Sequence, residues 1–539
     1  MDRVTSRPAP DTTPSDVDSS RGRPSDGRPA DGDAPDPRRW RAFAVCLVAS
    51  FMTLLDVSIV NVALPTLREG LEATESDLQW IVSGYALAFG LFLVPAGRLG
   101  DVRGRRSVFI VGLALFTVAS AACGFAPSAL ALIAARLVQG VAGGILNPQV
   151  SGFVQELFRG PERGKAFGLL GACIGLSTAI GPLAGGALIS VFGPDLGWRA
   201  VFFVNVPIGV LAIVLALRLL PASSGRRPSA SLDPVGVLLL GVGVLLVLLP
   251  LVQERSWTGA TKWLLVPAGL AVLGAFGLWE RAYERRGKEP MVQLDLFRRA
   301  SYAFGATIGL VYFGGFTAIF FVLALYLQTG LGYSALAAGL AVTPYALGSA
   351  VSSALGGRVV DRFGRSLVAG GLLVTGLGLL ATDVVLGTVG GERGSATTGL
   401  AIALPLLVAG VGSGLVISPN LTLSLSQVPV RRAGSAGAVL QTGQRIGAAT
   451  GIAAVGSLFF ARLASGGGDW DGAVTDALRL CTVIVALALA VALLDLWTNR
   501  RSSGAGGSGD LHADEPAHEV GDAGREGSGG HLPQGTAQR

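Results

Sequence analysis

The chain has few of the groups that carry chemistry in a folded core. Only three of its 539 residues are histidine, and all three, His512, His518 and His531, stand in the C-terminal tail. A Ser-His-Asp triad, a histidine-ligated zinc site or a haem is therefore excluded from the apolar part of the chain. The four cysteines lie singly inside apolar stretches without CxxC spacing, which predicts neither a disulfide nor a metal site.

Charge is scarce as well. Charged residues make up 14% of the chain, against about a quarter in soluble proteins, while 50% of the residues are hydrophobic and the mean hydropathy is +0.57. These values indicate a membrane protein. The net charge of +6 does not indicate nucleic-acid binding, because the basic residues form short clusters between apolar runs. The sequence also has no GxxxxGK[ST] phosphate loop, which argues against direct ATP-driven pumping.

The apolar residues fall into about fourteen segments near the ~20 residues that cross a bilayer. The predicted limits are 43–65, 79–99, 107–126, 129–151, 165–190, 200–220, 235–252, 262–281, 303–327, 335–356, 367–387, 399–422, 437–461 and 476–497. No apolar stretch precedes Trp40, so we expect no cleavable signal peptide. Loops after even-numbered segments hold about 21 basic residues and the other loops about 6, which predicts that both termini lie in the cytoplasm.

A nine-residue pattern occurs twice. GRLGDVRGR at 97–105, the first repeat, returns as GRVVDRFGR at 357–365, the second repeat, with Gly, Arg, Asp, Gly and Arg in the same register. Each copy joins two segments on the predicted cytoplasmic side, so the chain contains two related halves. The copies follow the second and tenth segments, an offset of eight where two six-helix halves would give six. The seventh and eighth segments are therefore an insert.

We accordingly predict an all-α polytopic membrane protein of two six-helix bundles plus two inserted helices. The predicted parts are a disordered cytoplasmic N-tail at 1–39, a first bundle at 40–220, a central loop with two extra helices at 221–300, a second bundle at 301–498, and a disordered cytoplasmic C-tail at 499–539. The tails are rich in Asp, Pro, Ser and Gly and lack the apolar surface that folding needs.

The order of motifs resembles the major facilitator superfamily, and in particular its branch of fourteen-span drug:proton antiporters. LLDVSIVNVALP at 54–65 is similar to the LDxTxVNVALP motif, although Val57 and Ser58 depart from it. RLVQGVAGG at 136–144 is similar to the RxxQG motif, and GACIGLSTAIGPLAGG at 171–186 is similar to the GPxxGG antiporter motif. The fourth matching stretch is GWRAVFFVNVPIG at 197–209. The resemblance runs through most of 43–497. It implies the major facilitator fold and alternating access between two six-helix bundles.

The two repeats are candidates for a cytoplasmic gate. Gly100 and Gly104 permit a tight reversal, and Asp101 is expected near the start of the third helix, where the helix dipole favours an anion. Arg105 and Arg106 are expected to face the anionic inner leaflet. The alternative is a well-made turn that also serves as a topology signal. The predicted gate residues are Gly97, Arg98, Asp101, Gly104, Arg105, Arg358, Asp361, Gly364 and Arg365.

An acid and a base lie deep in the first half of the chain. Asp56 and Arg136 are both predicted roughly 10–14 Å below the outer surface, at ~1.5 Å per residue. At one depth they can pair, which would keep Asp56 ionised until a proton or a cationic substrate competes. The alternative is a static ion pair that fixes two helices. Because no histidine is available, Asp56 is the predicted proton carrier.

Other polar residues complete the predicted cavity. Arg445 either snorkels to the inner interface or brings positive charge to the cavity. The set predicted for proton coupling or substrate contact is Asp56, Arg136, Asn61, Gln139, Asn147, Arg445 and Gln441, with core packing as the alternative for any single polar residue. Aromatic residues that could stack on a flat or cationic ligand are Tyr85, Phe89, Tyr312, Phe316 and Tyr345. Asp383 and Asp495, near helix ends, are expected to be hydrated surface residues.

The fifth segment carries the antiporter-like motif. Its residues are Gly171, Gly175, Gly181, Pro182, Gly185 and Gly186. The glycines allow close helix approach, and Pro182 is expected to bend the helix. Ordinary packing of membrane helices is the alternative, whereas the resemblance implies an exporter.

These observations predict a non-enzymatic transporter of the cell membrane. It would export small amphipathic compounds, cationic ones among them, in exchange for protons, with no cofactor, no metal and no nucleic-acid partner, and as a monomer in the lipid bilayer. A second hypothesis is a dedicated self-resistance exporter of a single metabolite or antibiotic, since the Gly, Ala and Arg richness suggests a high-GC bacterium. A third is a non-transporting receptor or scaffold whose tails bind partners.

Overall fold

The structure is a computed structural model that describes residues 38–221, 233–253, 257, 259–389 and 397–505. Within these residues it contains helices, turns and loops but no strand. Fourteen helices are long and apolar enough to cross a membrane, which confirms the predicted number. They are α1 Arg39–Leu71, α2 Glu75–Arg103, α3 Arg105–Gly124, α4 Ala129–Leu157, α5 Pro161–Gly193, α6 Asp195–Leu219, α7 Pro234–Val252, α8 Ala260–Arg285, α9 Ala300–Gly330, α10 Ala335–Phe363, α11 Arg365–Val389, α12 Ala403–Leu425, α13 Val430–Ser465 and α14 Trp470–Thr498.

Local sequence signals explain several helix boundaries. Thr74 and Asp77 form a capping box at the start of α2, in which the Asp77 carboxylate accepts from the Thr74 N–H at 2.9 Å. Ser128 and Ser334 cap α4 and α10 more simply, since each hydroxyl accepts from the backbone N–H three residues later. Gly104, at φ 98°, separates α2 from α3, so the first repeat does make the tight reversal that its glycines predicted.

The helices of each half pack mainly with one another. α1 packs on α5 and α6, and α4 packs on α2 and α3; in the second half, α9 packs on α13 and α14, and α12 packs on α10 and α11. α7 and α8 form a hairpin of their own, and α7 also contacts α2 and α13. We name the two faces of the molecule cytoplasmic and outer after the positive-inside prediction.

Two helices depart from the sequence prediction. The backbone of α5 keeps helical angles through Pro182 and departs from them at Gly193 (φ 75°, ψ 172°), so the irregular point lies at the outer end of the helix. The last helix stays helical to Ala505 and therefore extends into the predicted C-tail. The rest of that tail, 506–539, and the N-tail up to residue 37 lie outside the described residues.

Candidate functional site

The predicted pair of Asp56 and Arg136 forms in the structure. Asp56 lies near the middle of α1 and Arg136 in the outer third of α4, and their side chains are 0% and 2% exposed. Arg136 Nη1 lies 2.5 Å from Asp56 Oδ2, and Arg136 Nε donates to the carbonyl of Ile81 on α2 at 3.1 Å. The ion pair therefore joins α1, α2 and α4 in a part of the bundle closed to solvent.

Two amides satisfy the second oxygen of the buried carboxylate. Gln139 on α4 donates to Asp56 Oδ1 at 2.9 Å, and Asn205 on α6 donates to the same oxygen at 3.1 Å. Both amides also donate to the hydroxyl of Ser120 on α3, which in turn donates to the carbonyl of Phe202 at 2.9 Å. Two helices, α4 and α6, thus supply partners to one acid, and Ser120 of α3 joins their two amides.

The sequence pattern pointed to Gln139 as a site residue but not to Asn205 or Ser120. Asn205 stands in the GWRAVFFVNVPIG stretch, where it is the polar residue deepest in α6, and that position was the available signal. α6 is interrupted at Val204, and Pro207 explains this because it has no N–H to continue the hydrogen-bond ladder. Nothing in the sequence distinguished Ser120 from a packed small residue.

The surroundings of the pair favour charge. The guanidinium of Arg136 lies 4.2 Å from the ring centroid of Tyr85, and the Tyr85 hydroxyl donates to the carbonyl of Thr53 at 3.3 Å. Because charge-assisted hydrogen bonds are stronger than neutral ones, the site can hold a paired acid and base inside the bundle. In the part of the chain that the structure describes, no cluster of His, Cys, Asp and Glu is suited to a metal ion.

Three predicted cavity residues make no bond to Asp56. Asn61 is exposed, and its side chain donates to the carbonyl of Val57 in its own helix at 3.2 Å. Asn147 is part-buried and donates to the carbonyl of Gly143 on α4 at 3.2 Å and to the hydroxyl of Thr53 on α1, one turn before Asp56, at 3.5 Å. Gln441 on α13 donates to the hydroxyl of Ser151 at 3.2 Å and so joins the two halves on their cytoplasmic side.

Arg445 on α13 lies over an aromatic ring rather than at the inner interface. Its guanidinium is 4.5 Å from the ring centroid of Phe89, which is the middle residue of α2. The side chain is part-buried. Of the two interpretations of Arg445, this position favours the cavity over snorkelling.

The first repeat joins the two halves of the molecule. Asp101 lies in the last turn of α2, and its carboxylate accepts from the N–H of Gly434 at 3.2 Å and from the N–H of Ser435 at 2.9 Å. The Ser435 hydroxyl donates to the same carboxylate at 2.9 Å. These groups open the helical part of α13. Asp101 does lie near the start of α3, 3.0 Å from Arg105, but its carboxylate accepts no backbone N–H of that helix. The carboxylate caps a helix of the opposite half instead.

Arg105 is buried in the same contact, so the expectation that it faces the inner leaflet was wrong. It lies 3.0 Å from Asp101 and 2.9 Å from Glu156, and it donates to the carbonyl of Val430 at the start of α13 at 2.5 Å. Arg106 donates to the carbonyl of Leu217 on α6. For Arg105 and Arg106, hydrogen bonds to neighbouring helices take the place of contact with the membrane surface.

Other groups of the first repeat make further contacts with distant parts of the chain. Arg98 pairs with Glu289 in the connection after α8 at 3.0 Å. A Cβ added to Gly97 would lie 2.6 Å from the carbonyl oxygen of Gly434, so α2 and α13 touch through their backbones. The second repeat repeats this feature, because a Cβ on Gly357 of α10 would lie 2.2 Å from the carbonyl oxygen of Gly164 of α5.

The charged residues of the second repeat behave differently. Arg358 and Asp361 are exposed, and Gly364 adopts φ 52° at the turn between α10 and α11. Arg365 lies 2.9 Å from Asp495 on α14 and donates to Asn420 on α12 at 2.8 Å, so its polar contacts stay within its own half. In both repeats the first glycine lets a helix backbone approach the opposite half closely. In the first repeat Asp101 and Arg105 also bind the opposite half, whereas the ion pair of Arg365 stays within its own half.

Two acids were expected at the hydrated surface. Asp495 is instead 0% exposed and paired with Arg365, which corrects that expectation. Asp383 is 9% exposed and lies 3.2 Å from Arg479 of α14. Each acid forms an ion pair between α11 and α14, because these two helices pack against each other.

The glycines of α5 mark two contact faces. Cβ atoms on Gly171 and Gly175 would meet Ser353 and Ala346 of α10 at 2.0 and 2.8 Å. On the other face, a Cβ on Gly181 would lie 2.3 Å from Ser58 of α1. A Cβ on Gly185 would lie 3.1 Å from Ile59 of α1, Pro182 touches α10 near Gly339, and Gly186 faces open space. α5 therefore stands between the helix of Asp56 and the opposite half.

The aromatic residues separate into two groups. Tyr85 and Phe89 follow one another on α2 with ring centroids 6.0 Å apart, next to the two arginines described above. Tyr312, Phe316 and Tyr345 are 1%, 8% and 1% exposed and belong to the core of the second half. These three pack within the protein, which favours core packing over contact with a ligand in this conformation.

Comparison with known proteins places the chain among transporters. The family model of the Major Facilitator Superfamily matches residues 46–452, and a second match covers 305–513. The chain is 41% identical over 435 residues to the "Probable actinorhodin transporter" of Streptomyces coelicolor, covering 80% of this chain and 74% of that protein. It is 34% identical over 469 residues to "Puromycin resistance protein pur8" of Streptomyces alboniger, covering 85% and 90%.

Two further similarities agree with these. The "Tetracenomycin C resistance and export protein" of Streptomyces glaucescens is 32% identical over 427 residues, covering 79% of this chain and 77% of that protein. Among solved structures, the proton:xylose symporter XylE superposes with a TM-score of 0.60 at 15% identity, covering 86% of this chain and 96% of that one. At this identity the superposition shows the fold alone, and it confirms the predicted fold class.

Proposed function

The chain belongs to the Major Facilitator Superfamily, and from this premise we propose that it exports small amphipathic antibiotics or drugs in exchange for protons. Membership in a family of transporters confirms that the protein is not an enzyme and disfavours the receptor alternative. Fourteen membrane-length helices indicate a multi-pass protein of the plasma membrane. We further propose that both termini are cytoplasmic, that the proton gradient is the energy source and that the protein acts as a monomer.

The buried network around Asp56 is the observation that carries the proposal of proton coupling. Its carboxylate receives charge-assisted bonds from Arg136 and amide bonds from Gln139 and Asn205. Protonation removes the negative charge and turns one oxygen into a donor, so these bonds weaken together. Removing one partner of a buried ion pair costs about 3–5 kcal/mol, which is enough to change the preferred helix arrangement.

α5 offers a route from this network to the opposite half. Its outer glycines contact α1 beside Ser58 and Ile59, one turn or less from Asp56. Its remaining glycines contact α10 from Gly357 on the cytoplasmic side to Ala346 near the middle. A shift of α1 on protonation would therefore be passed to the interface between the bundles through glycine contacts, which have no side chains to absorb it.

The contacts of the first repeat support a conformation closed to the cytoplasm. Among the described residues, the direct hydrogen bonds between the two six-helix bundles join Asp101, Arg105, Ser151 and Gln155 to α12, α13 or the segment between them, all toward the cytoplasmic ends. We propose that these bonds form in the outward-facing state and break when the transporter opens inward. The residues proposed for this gate are those of both repeats, with the first supplying the ion pairs.

A dedicated exporter of one antibiotic is the second candidate. The names of three relatives refer to actinorhodin, puromycin and tetracenomycin C, each a single compound. A relative named "Multidrug resistance protein Stp", from Mycobacterium tuberculosis, is 33% identical over 423 residues and favours the broader alternative. Growth of a sensitive host expressing this chain, tested against a panel that includes these three compounds, separates narrow from broad resistance.

The proton-coupling proposal is tested with Asp56→Asn. Everted vesicles would be energised to make their interior acidic, and uptake of the compound identified by the growth panel would be measured with and without a proton uncoupler. Wild-type uptake is expected to depend on the gradient, and the variant to lose at least ~90% of it. Asp295→Asn, an exposed acid on the cytoplasmic side, is the matched control and should behave as wild type. Gradient-driven uptake by Asp56→Asn at the wild-type rate would refute the proposal.

A further inference from the structure

Arg445 is a cation in the middle of the protein whose charge has no partner. Within the described residues, its guanidinium makes no hydrogen bond and no ion pair, and its one ring contact is with Phe89 at 4.5 Å. Other deep arginines are paired, as Arg136 is with Asp56 and Arg365 with Asp495. A charge at this depth costs several kcal/mol, so an unpaired arginine here calls for a partner that binds from outside the chain.

The guanidinium opens onto accessible space. The Arg445 nitrogen atoms make no hydrogen bond, yet none of them is buried away from solvent. The residue as a whole is part-buried. Gln444, the preceding residue, is also part-buried and makes no hydrogen bond within the described chain. Arg445 therefore keeps its donors free at the junction of the two halves, and Gln444 keeps its own free beside Gly309 of α9.

The aromatic contact of Arg445 leaves its donors available. The guanidinium carbon lies 4.5 Å from the centroid of the Phe89 ring, and none of the planar set of N–H donors bonds to the described chain. Two parallel N–H groups in a fixed plane match the two oxygens of a carboxylate. Phe89 thereby orients the arginine for a planar anion, and a lysine at this position would lack both the stack and the fork.

The preceding turn of α2 shows the same arrangement in completed form. The ring centroids of Tyr85 and Phe89 lie 6.0 Å apart, and Arg136 lies over Tyr85 at 4.2 Å while its donors bind the Asp56 carboxylate. Two arginines thus lie over two successive rings of one helix. One has its carboxylate from the chain, and the other does not.

We propose that Arg445 binds an anionic group, a carboxylate or an equivalent acidic oxygen pair, on the exported compound, with Phe89 as its orienting ring. This inference rests on the proposed function as an exporter and names the chemical class of its cargo. It departs from the expectation of cationic cargo, because the carboxylate of Asp56 is fully occupied by Arg136, Gln139 and Asn205. The free charge in this region is positive.

The test compares two dyes that differ in one group. A fluorescent xanthene dye with a free carboxylate and the same dye as its methyl ester would be titrated into purified protein in phosphatidylcholine nanodiscs, where no anionic lipid competes. We expect wild type to bind the carboxylate dye at least about tenfold more tightly than the ester. Arg445→Gln should remove this preference while leaving ester binding unchanged, and Arg445→Lys should retain part of it.

Several results would overturn the inference. Equal binding of both dyes by wild type, binding of neither dye, or a preference that survives in Arg445→Gln would each do so. Arg462→Gln, the same substitution in a surface ion pair near the outer end of α13, is the matched control and should not change the preference. If Arg445→Gln lowers binding of both dyes equally, the residue has a structural role and the inference is wrong.

The outcome can be separated from that of the proposed function. A wild-type preference for the carboxylate dye that depends on Arg445, together with transport that ignores the proton gradient, would support the binding site and contradict proton exchange. Gradient-driven transport that needs Asp56, without any dye preference, would support proton exchange and contradict the binding site.

Discussion

Asp101→Asn is expected to shift the protein from the cytoplasm-closed to the inward-open state. The substitution keeps the shape of the side chain and one acceptor oxygen but removes its charge. In the closed conformation that charge faces the first turn of α13 and accepts from Gly434 and Ser435, while Arg105 lies 3.0 Å away. The Asp101 side chain is 1% exposed, so solvent does not screen these interactions.

The size of the shift follows from these contacts. A carboxylate at a partly buried helix N-terminus stabilises by up to ~2 kcal/mol, and hydrogen bonds to a charged group contribute roughly 1 kcal/mol more each than neutral ones. We therefore expect a loss of about 1.5–3 kcal/mol from the closed state. This corresponds to a roughly 10- to 150-fold change in the ratio of closed to inward-open molecules.

The population change can be measured as a distance distribution. Spin labels on cysteines that replace Arg103 and Ser366, exposed residues on the cytoplasmic ends of α2 and α11, would report the separation of the two halves by pulsed electron resonance. Asp101→Asn should add a longer distance that is minor in wild type. Asp295→Asn, the same change in an exposed acid outside both repeats, is the control and should leave the distribution unchanged. Equal distributions in wild type and Asp101→Asn would refute the assigned role of this acid.

Two further variants test the packing of the bundles. Gly357→Val should prevent cytoplasmic closure, because its Cβ would lie 2.2 Å from a backbone carbonyl oxygen of α5. Transport by this variant should fall at least about tenfold. The control is Gly370→Val, whose side chain would face open space, and its transport should stay within about twofold of wild type. Asp495→Asn should leave the Arg365 charge buried without a charged partner and cost about 3 kcal/mol, measured as a lower melting temperature in detergent, and Asp295→Asn should show no such loss. An unchanged melting temperature in Asp495→Asn would contradict the buried ion pair.

The helix count and the central ion pair could be predicted because each rests on a strong local signal. Spans of ~20 apolar residues are set by the bilayer, and fourteen of them coincide with fourteen helices. Asp56 and Arg136 were paired by depth alone, since a buried acid and a buried base have few alternatives to each other. Their geometry agrees with the prediction.

Other contacts could not be predicted because they depend on which helices meet. Asp101 lies in sequence beside α3, but its carboxylate binds α13, more than three hundred residues away. Asp495 stands near a helix end, a position that predicts a surface residue, yet in the structure it lies on the side of α14 that faces Arg365. Asn205 and Ser120 are single polar residues in apolar helices, and their convergence on Asp56 requires the bundle to be assembled first.

The central claim is that Asp56 carries the proton that is exchanged for cargo. Its most direct test is proton movement in proteoliposomes, in which cargo flux through wild-type protein changes the internal pH. With Asp56→Asn, we predict that exchange of labelled for unlabelled cargo continues without a gradient while the linked pH change disappears. If Asp56→Asn still moves protons against cargo at the wild-type ratio, another group carries the proton and the account of this site is wrong.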